Sequence, residues 1–421
     1  MRGTRSIAVR MASPAAAGAD GASGAEAGGA MKTQIMQPAL LDALQQVARA
    51  APTFSPIPVL SSILLRMSRD RLALSASNSV LTIRAEVPAA DRAVRTDSGE
   101  ADSPDRQRGI VVPARYLLEM VRKLPACLVE LELPNEAAAL LTVRAGSSLF
   151  RLRGLEPDAF PDITPIEAAK WSLTLPNGLL RPMIRGVVFA AAASEMRPLL
   201  CGVLCRYDGH SLRFVATDSV RFASRSSHLL CAQGSAPFET VIPAKGLSEL
   251  ARLLQDEQGE TVIAADESHI RFQTSLLTLQ ISLLHGTYPP IEGLVPSRFM
   301  AEVTTPTAGF LQAIERVTLL AGETSIVHLR VGTDRTAELL SASAEIGDVR
   351  EDLPVSCLHG DSVVISFNGK YMADIVRTID APDVLLRFSG IRTPITVQPA
   401  DPELSSVYLL TPIRTAAQPF D

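Results

Sequence analysis

The stretch VVPARYLLEMVRKLP, residues 111–125, decides the fold. A near copy returns as VIPAKGLSELARLLQ at 241–255, and a fainter one as ISFNGKYMADIVRTI at 365–379. Each opens on a β-type apolar pair, passes through Pro or Asn, and runs into about three turns of helix. Each carries two basic residues seven positions apart: Arg115 and Arg122, Lys245 and Arg252, Lys370 and Arg377. Arg115 to Lys245 is 130 residues, and Lys245 to Lys370 is 125. A repeat that long is a whole domain rather than a solenoid unit.

Working outward, each copy has a second recurring helix near its front. LLDALQQV (40–47), LLRPMIRG (179–186) and FLQAIERV (310–317) share apolar residues at helical spacing, and Pro38 and Pro306 sit just ahead of two of them. Short alternating runs around both helices read as strands, among them RLALSAS, LTIRAEV, LVELEL, SVVISFN and SVYLLTPI. GVLCRYDGHSLRFVATD reads as a hairpin turning at Asp208-Gly209, and TVIAADESHIRFQTS as another turning near 266–268. Two Pro-rich joints, GLEPDAFPDITPIE (154–167) and GTYPPIEGLVPS (286–297), separate the copies. The expectation is α+β: three tandem domains at 31–156, 165–288 and 297–416, each with two helices and about eight antiparallel strands. Residues 1–30 are rich in Ala and Gly, cannot bury a core, and read as a disordered leader before folded sequence starts near Met31.

The chain has 421 residues, 47% hydrophobic and 20% charged, with a formal net charge of −5. That balance excludes a protein that coats nucleic acid by bulk positive charge, but not a basic stripe on an acidic body. Cysteines 127, 201, 205, 231 and 357 are odd in number and irregular in spacing, which argues against a disulfide framework. Cys201 and Cys205 lack a second pair at zinc spacing and read as small hydrophobes. Glu195, Asp208 and Asp218 suit turns better than metal ligation, and the six histidines are scattered. No phosphate loop, dinucleotide fingerprint, zincin or nucleophile-elbow motif is present, so neither a catalytic residue nor a cofactor or metal site is assigned. With no apolar run of the roughly 18 to 20 residues a membrane span needs, the reading is a reduced, cytoplasmic protein.

Residues at i and i+7 share a helix face. In the 113–124 helix, Tyr116, Leu117, Met120, Val121 and Leu124 make the apolar stripe, with Arg115, Arg122 and Lys123 beside it. The 245–254 helix sets Leu247, Leu250, Leu253 and Leu254 against Lys245 and Arg252. In one helix such a pair is an ordinary solvated face. Three equivalent pairs on a pseudo-symmetric body suit a long, uniform, negatively charged partner, and duplex DNA is the obvious one. Phosphate contacts of this kind carry no sequence information.

Taken with MRPLLCGV (196–203), FVATDSVRFA (214–223), TYPPIEGLVP (287–296) and the terminal YLLTPIR (408–414), these features resemble the bacterial DNA polymerase III β subunit, the sliding clamp, over residues 31–415. The resemblance implies a ring of two chains joined head to tail, with helices lining a hole that holds DNA and sheets outside. Arg115, Arg122, Lys123, Arg197, Lys245, Arg252, Lys370 and Arg377 would face DNA. It also implies a pocket for short linear peptides of the replicative polymerase, clamp loader and repair proteins. Carried over by motif, that pocket is Leu200, Thr217, Ser219, Val220, Arg221, Phe222, Pro289, Leu294, Leu409, Thr411, Pro412, Ile413 and Arg414, with Asn368 and Tyr371 on its rim and Arg221 and Arg414 framing its mouth. The ring joint would set Phe150 and Leu152 against Leu319 and Leu320 of the second copy.

The chain departs from the family pattern at Ser219, Val220 and Thr411 in the pocket, and at Phe54, Pro198 and Leu199 near DNA. Three readings stay open: a processivity clamp, a specialised clamp paralogue with an altered pocket such as one resistant to a pocket-binding inhibitor, and a clamp-fold scaffold that does not encircle DNA. An enzyme is the weakest alternative.

Overall fold

The structure is a computed structural model. It describes residues 30–68, 70–90, 108–134, 139–161, 166, 169–229, 236–332, 336–343, 345–401 and 405–414. The disorder expected of the leader, and Cys231, lie outside the described residues.

The first copy contains strands β1 to β8 (Met31–Met36, Ser62–Met67, Arg71–Ser77, Leu81–Pro88, Arg108–Pro113, Leu128–Leu133, Leu140–Ala145, Ser148–Arg153) and helices α1 (Gln37–Val47) and α2 (Ala114–Lys123). The second contains β9 to β16 (Trp171–Pro176, Gly202–Tyr207, Ser211–Thr217, Arg221–His228, Phe238–Pro243, Glu260–Ala265, His269–Gln273, Leu277–Ser282) with α3 (Asn177–Val188) and α4 (Ala244–Leu253). The third contains β17 to β25 (Ala301–Pro306, Ile326–Val331, Ala337–Ser343, Gly347–Asp352, Cys357–Gly360, Val363–Asn368, Asp383–Phe388, Ile395–Pro399, Ser406–Leu410) with α5 (Thr307–Leu319) and α6 (Gly369–Val376). The third copy thus has one strand beyond eight: β21, which adds to the outer side of β17.

Strands run straight into helices at Pro113, Pro243 and Pro306, whose fixed φ suits the switch from extended to helical backbone. Pro38 falls inside the first turn of α1, where its missing N–H costs nothing. The faint third copy has no Pro there. Asn368 caps α6 instead, its side-chain oxygen accepting from the backbone N–H of Tyr371 at 3.1 Å. Gly369 lets α6 lie close on α5, since a Cβ there would fall 2.2 Å from the Thr318 hydroxyl.

Each copy splits into two half-sheets, and the half-sheets join across domain boundaries. Antiparallel pairing of β4 with β16 fuses the first and second copies into the eight-stranded order β5-β2-β3-β4-β16-β15-β14-β9. Pairing of β12 with β25 fuses the second and third into a nine-stranded sheet, with Phe222 opposite Leu409. The remaining half-sheets, β1-β6-β7-β8 and β20-β19-β18-β22, end on the edges β8 and β20.

Alternation along the strands feeds two layers of core. Ile63 and Leu65 of β2 join the main core with Leu117 and Val121 of α2, while Leu64 points the other way into a small cluster with Val111 and Phe160. The second copy repeats this: Val203 and Cys205 enter the main core, and Leu204 joins Val241, Tyr288 and Ile291. In both copies the joint begins with a single β-bridge, Val111 to Leu155 and Val241 to Leu284, before its aromatic turns inward. Tyr116 does not belong to the apolar stripe. It is 64% exposed, because the buried face of α2 is set by Ala114, Leu117 and Val121, and Tyr116 stands about 100° away beside Arg115.

Candidate functional site

The β12–β25 junction gathers most of the sequence-nominated pocket. Leu200, Phe222 and Leu409 are each nearly fully buried, in one cluster with Leu204, Val215, Val241, Tyr288 and Ile291. They form the floor. Leu200 reaches it from the single 3-10 turn Pro198–Cys201 that precedes β10. Val220 and Leu294 are each 43% exposed, and Pro289 and Thr411 are exposed. Pro412 and Ile413 are half-buried, and Arg414 is exposed.

A tight hairpin turn between β11 and β12 sets the wall. Asp218 Oδ1 accepts from the N–H groups of Val220 (2.9 Å) and Arg221 (2.6 Å), and Thr217 Oγ1 accepts from Ser219 N–H at 3.1 Å. Ser219 sits at φ 75°, in the left-handed region where this turn needs it. The Val220 carbonyl accepts from Thr411 N–H at 2.9 Å, and the Ser366 carbonyl from Ile413 N–H at 2.7 Å. The terminal segment is thereby stitched to the second and third copies alike.

Arg221 does not frame the mouth. Its side chain is only 11% exposed, because it is neutralised and stacked inside the junction. Nε donates to Asp218 Oδ2 at 3.0 Å and a terminal nitrogen to Asp374 Oδ2 of α6 at 3.1 Å. The guanidinium lies 4.1 Å from the ring centroid of Tyr371 and 5.7 Å from that of Phe189. Asn368 holds Tyr371 in place through the cap of α6. Asp374, Tyr288, Ile291 and Phe189 were not picked out from sequence. The signal for Tyr288 was present in the Phe-Pro and Tyr-Pro wording shared by the two joints.

The equivalent β4–β16 junction lacks this wall. Leu81 stands where Arg221 does, after an identical turn in which Asn78 Oδ1 accepts from Val80 and Leu81 N–H and Ser79 has φ 73°. A cavity of about 440 Å³ at that junction is lined by Asp70, Arg71 and Glu86 together with Pro88, Ala89, Ala90 and Leu276, so it mixes charged and apolar side chains.

The nominated basic residues other than Arg197 share the outward face of the second helix of each copy, Arg377 at its C-terminal cap. Arg115, Lys123, Lys245 and Lys370 are exposed, the Lys245 side chain at 90%. Lys245 Nζ lies 4.0 Å from a Glu195 carboxylate oxygen, and Arg122, Arg252 and Arg377, also outward, are ion-paired to Glu119, Glu249 and Asp374. Arg197 is exposed and donates to the Ser219 hydroxyl at 3.2 Å. Phe54, where a basic residue was missed, is 88% exposed.

At the outer edges, Phe150 and its neighbour Leu149 are exposed on β8, and Leu152 is half-buried against the core. Leu319 is 76% exposed at the end of α5, Leu320 is half-buried, and Ile346 is exposed just before β20. Both open edges thus carry unpartnered apolar side chains.

Other candidates resolve into structure. Asp208 and Asp266 accept backbone N–H groups in hairpin turns, as Asp218 does. Donation from His210 and Ser211 N–H holds the Asp208 carboxyl below its ordinary range. Cys205 is buried in the core, where desolvation pushes its thiol up, while Cys201 points to the Ser194 carbonyl. Among the described residues, no three His, Cys, Asp or Glu side chains converge to hold a metal, and no helix is long and apolar enough to cross a membrane.

Three tandem α+β copies, fused sheet edge to sheet edge and bearing equivalent cations on one helix each, define a sliding-clamp architecture. Family models of the DNA polymerase III beta subunit match in chain order: the N-terminal domain at 31–164, the central domain at 174–290 and the C-terminal domain at 292–414. The Beta sliding clamp of Bacillus subtilis is 32% identical over 387 residues, covering 91% of this chain and 100% of that protein. The crystal structure of the B. subtilis DNA polymerase sliding clamp superposes with a TM-score of 0.82, over 91% of this chain and 99% of that one. A Pseudomonas aeruginosa sliding clamp, bound to griselimycin, gives a TM-score of 0.82 at 27% identity, over 92% of this chain and 100% of that one. The chain belongs to the DNA polymerase III β-subunit family and is a processivity factor of DNA replication. Nothing in the fold or in these relatives favours a specialised paralogue or a scaffold that has given up DNA.

Proposed function

We propose that two copies of this chain close head to tail around duplex DNA, and that the β12–β25 junction receives short linear peptides of the replicative polymerase, the clamp loader and repair proteins. The observation that supports closure is the repeated junction. The strand that β4 and β12 represent in their copies is β20 in the third, and the strand that β16 and β25 represent is β8 in the first. Inside the chain these strands pair twice, so β20 of one copy and β8 of another are the remaining complementary edges. Leu319 and Leu320 would then pack against Phe150 and Leu152 across the joint. In this reading the domains run 31–156, 165–288 and 297–416, with the Pro-rich joints between them.

The ring acts by topology in the cytoplasm, without catalysis, cofactor or metal. Arg115, Arg122, Lys123, Arg197, Lys245, Arg252, Lys370 and Arg377 face phosphate from the channel wall and read no sequence. In the pocket, a peptide's apolar anchors rest on the floor of Leu200, Phe222 and Leu409. Thr217, Ser219, Val220, Arg221, Asn368 and Tyr371 form one wall. Pro289, Leu294, Thr411, Pro412, Ile413 and Arg414 form the other.

The test is retention on covalently closed circular DNA after loading, compared with the same DNA linearised. A clamp stays on the circle and runs off the ends. Equal loss from both sinks the encircling reading. Fluorescence anisotropy of a labelled Gln-Leu-x-Leu-Phe peptide tests the pocket. Micromolar binding, lost in Arg221→Ala/Pro412→Ala, is expected, and no binding by a folded dimer would reject the pocket.

A further inference from the structure

Glu119, Glu249 and Asp374 occupy one position in the three copies: Glu119 to Glu249 is 130 residues and Glu249 to Asp374 is 125, the spacing of the basic residues themselves. Each stands three residues before the second cation of its helix and pairs with it. Arg122 pairs with Glu119, Arg252 donates to Glu249 at 2.6 Å, and Arg377 to Asp374 at 3.1 Å. Residues three apart on a helix are neighbours on its surface, so these carboxylates lie on the outward face with the arginines. Arg377 has a second carboxylate, Glu315 of α5, at 2.7 Å. Glu249 and Asp374 also serve the seams between copies, accepting from Arg49 at 3.2 Å and from Arg221 at 3.1 Å.

We infer that Glu119, Glu249 and Asp374 are built-in counter-charges that keep the channel's hold on DNA weak enough to slide. The inference rests on the encircling reading above. Each carboxylate competes with a phosphate for its arginine and repels the phosphate directly. The first cation of each helix, Arg115, Lys245 or Lys370, remains exposed for loose contact. A ring held by topology gains nothing from tight phosphate contacts, since every neutralised phosphate adds a salt-dependent term to an affinity that encirclement does not need.

The experiment titrates a labelled linear duplex with wild type and with the isosteric variant Glu119→Gln/Glu249→Gln. Asp374 is left intact because its seam partner, Arg221, is nearly buried, whereas Arg49, the seam partner of Glu249, has a side chain 41% exposed to water. Anisotropy is read between about 50 and 200 mM salt, where each added phosphate contact steepens the log K against log salt slope by about 0.9. The expected result is at least tenfold tighter binding at low salt, a slope steeper by about two per chain, and slower diffusion along DNA. Adding Arg122→Gln/Arg252→Gln returns both to wild type. Affinity and slope unchanged in a variant that melts like wild type overturn the inference while leaving the clamp intact. A wild type that is not retained on circular DNA overturns the encircling reading, and this inference with it.

Discussion

At the scale of single residues, Asp218 does three jobs with two oxygens. It closes the β11–β12 turn, orients Arg221, and cancels part of its charge. Asp218→Ala leaves a nearly buried guanidinium short of one acceptor. The expected cost is about 1–3 kcal/mol in urea unfolding, with peptide affinity falling tenfold or more. Asp218→Asn keeps the turn and loses less. Sequence alone could read the turn, since Asn78-Ser79-Val80 and Asp218-Ser219-Val220 are near copies. It could not place Arg221. That side chain was nominated for the mouth of the pocket, yet its partners Tyr371 and Asp374 are about 150 residues away and reach it only through the seam between copies. The basic helix positions were legible by contrast, because spacing on one helix decides its face.

At the scale of elements, the two joints work as plugs rather than tethers. Tyr288 is 5% exposed and Phe160 likewise 5%, each in its own small cluster. Burial pushes the Tyr288 phenol up to about 12, so it is neutral at working pH. Tyr288→Ala should cost about 2–4 kcal/mol in chemical denaturation and weaken the pocket floor it shares with Leu200 and Leu409. A second element, the half-sheet ending on β20, carries a pH dependence. His328 on β18 is buried and its ring Nδ1 lies 2.7 Å from the Ser366 hydroxyl on β22. Desolvation lowers its pKa from 6.5, so the native form is neutral. The unfolded chain takes up a proton that the folded one resists, so stability is intact above that value and falls as pH drops below it. Thermal melts from about pH 7 to about pH 5 should show this loss, and His328→Gln should flatten it. An unchanged slope would mean that other groups carry the acid sensitivity.

At the scale of the whole molecule, the decisive feature is an unfinished series. Two copy-to-copy junctions are made within the chain, and the edges for a third are left open with apolar side chains beside them. In a two-fold dimer that joint occurs twice, so each substitution counts twice. Leu319→Asp/Leu320→Asp should halve the mass in light scattering and leave the far-UV spectrum unchanged. A dimer that survives both charges would place the joint elsewhere. Charges cross both seams: Arg49 beyond α1 meets Glu249 of α4, and Arg221 of β12 meets Asp374 of α6. Glu249 and Asp374 thus serve a seam and the cationic helix face together, so a change at either is felt on both.

Three copies, their α+β class, the joints and the cationic helix faces were determined by the sequence alone. Each is a local matter of periodicity, turn chemistry or repeat spacing, which any segment expresses before it meets another. The extra strand β21, the exposure of Tyr116 and the burial of Arg221 were decided by the tertiary structure. Those outcomes depend on which groups share desolvated space or a charge partner. That is fixed only when distant segments pack together: Asp218 lies three residues from Arg221, but the guanidinium is buried because Tyr371 and Asp374, about 150 residues on, close over it.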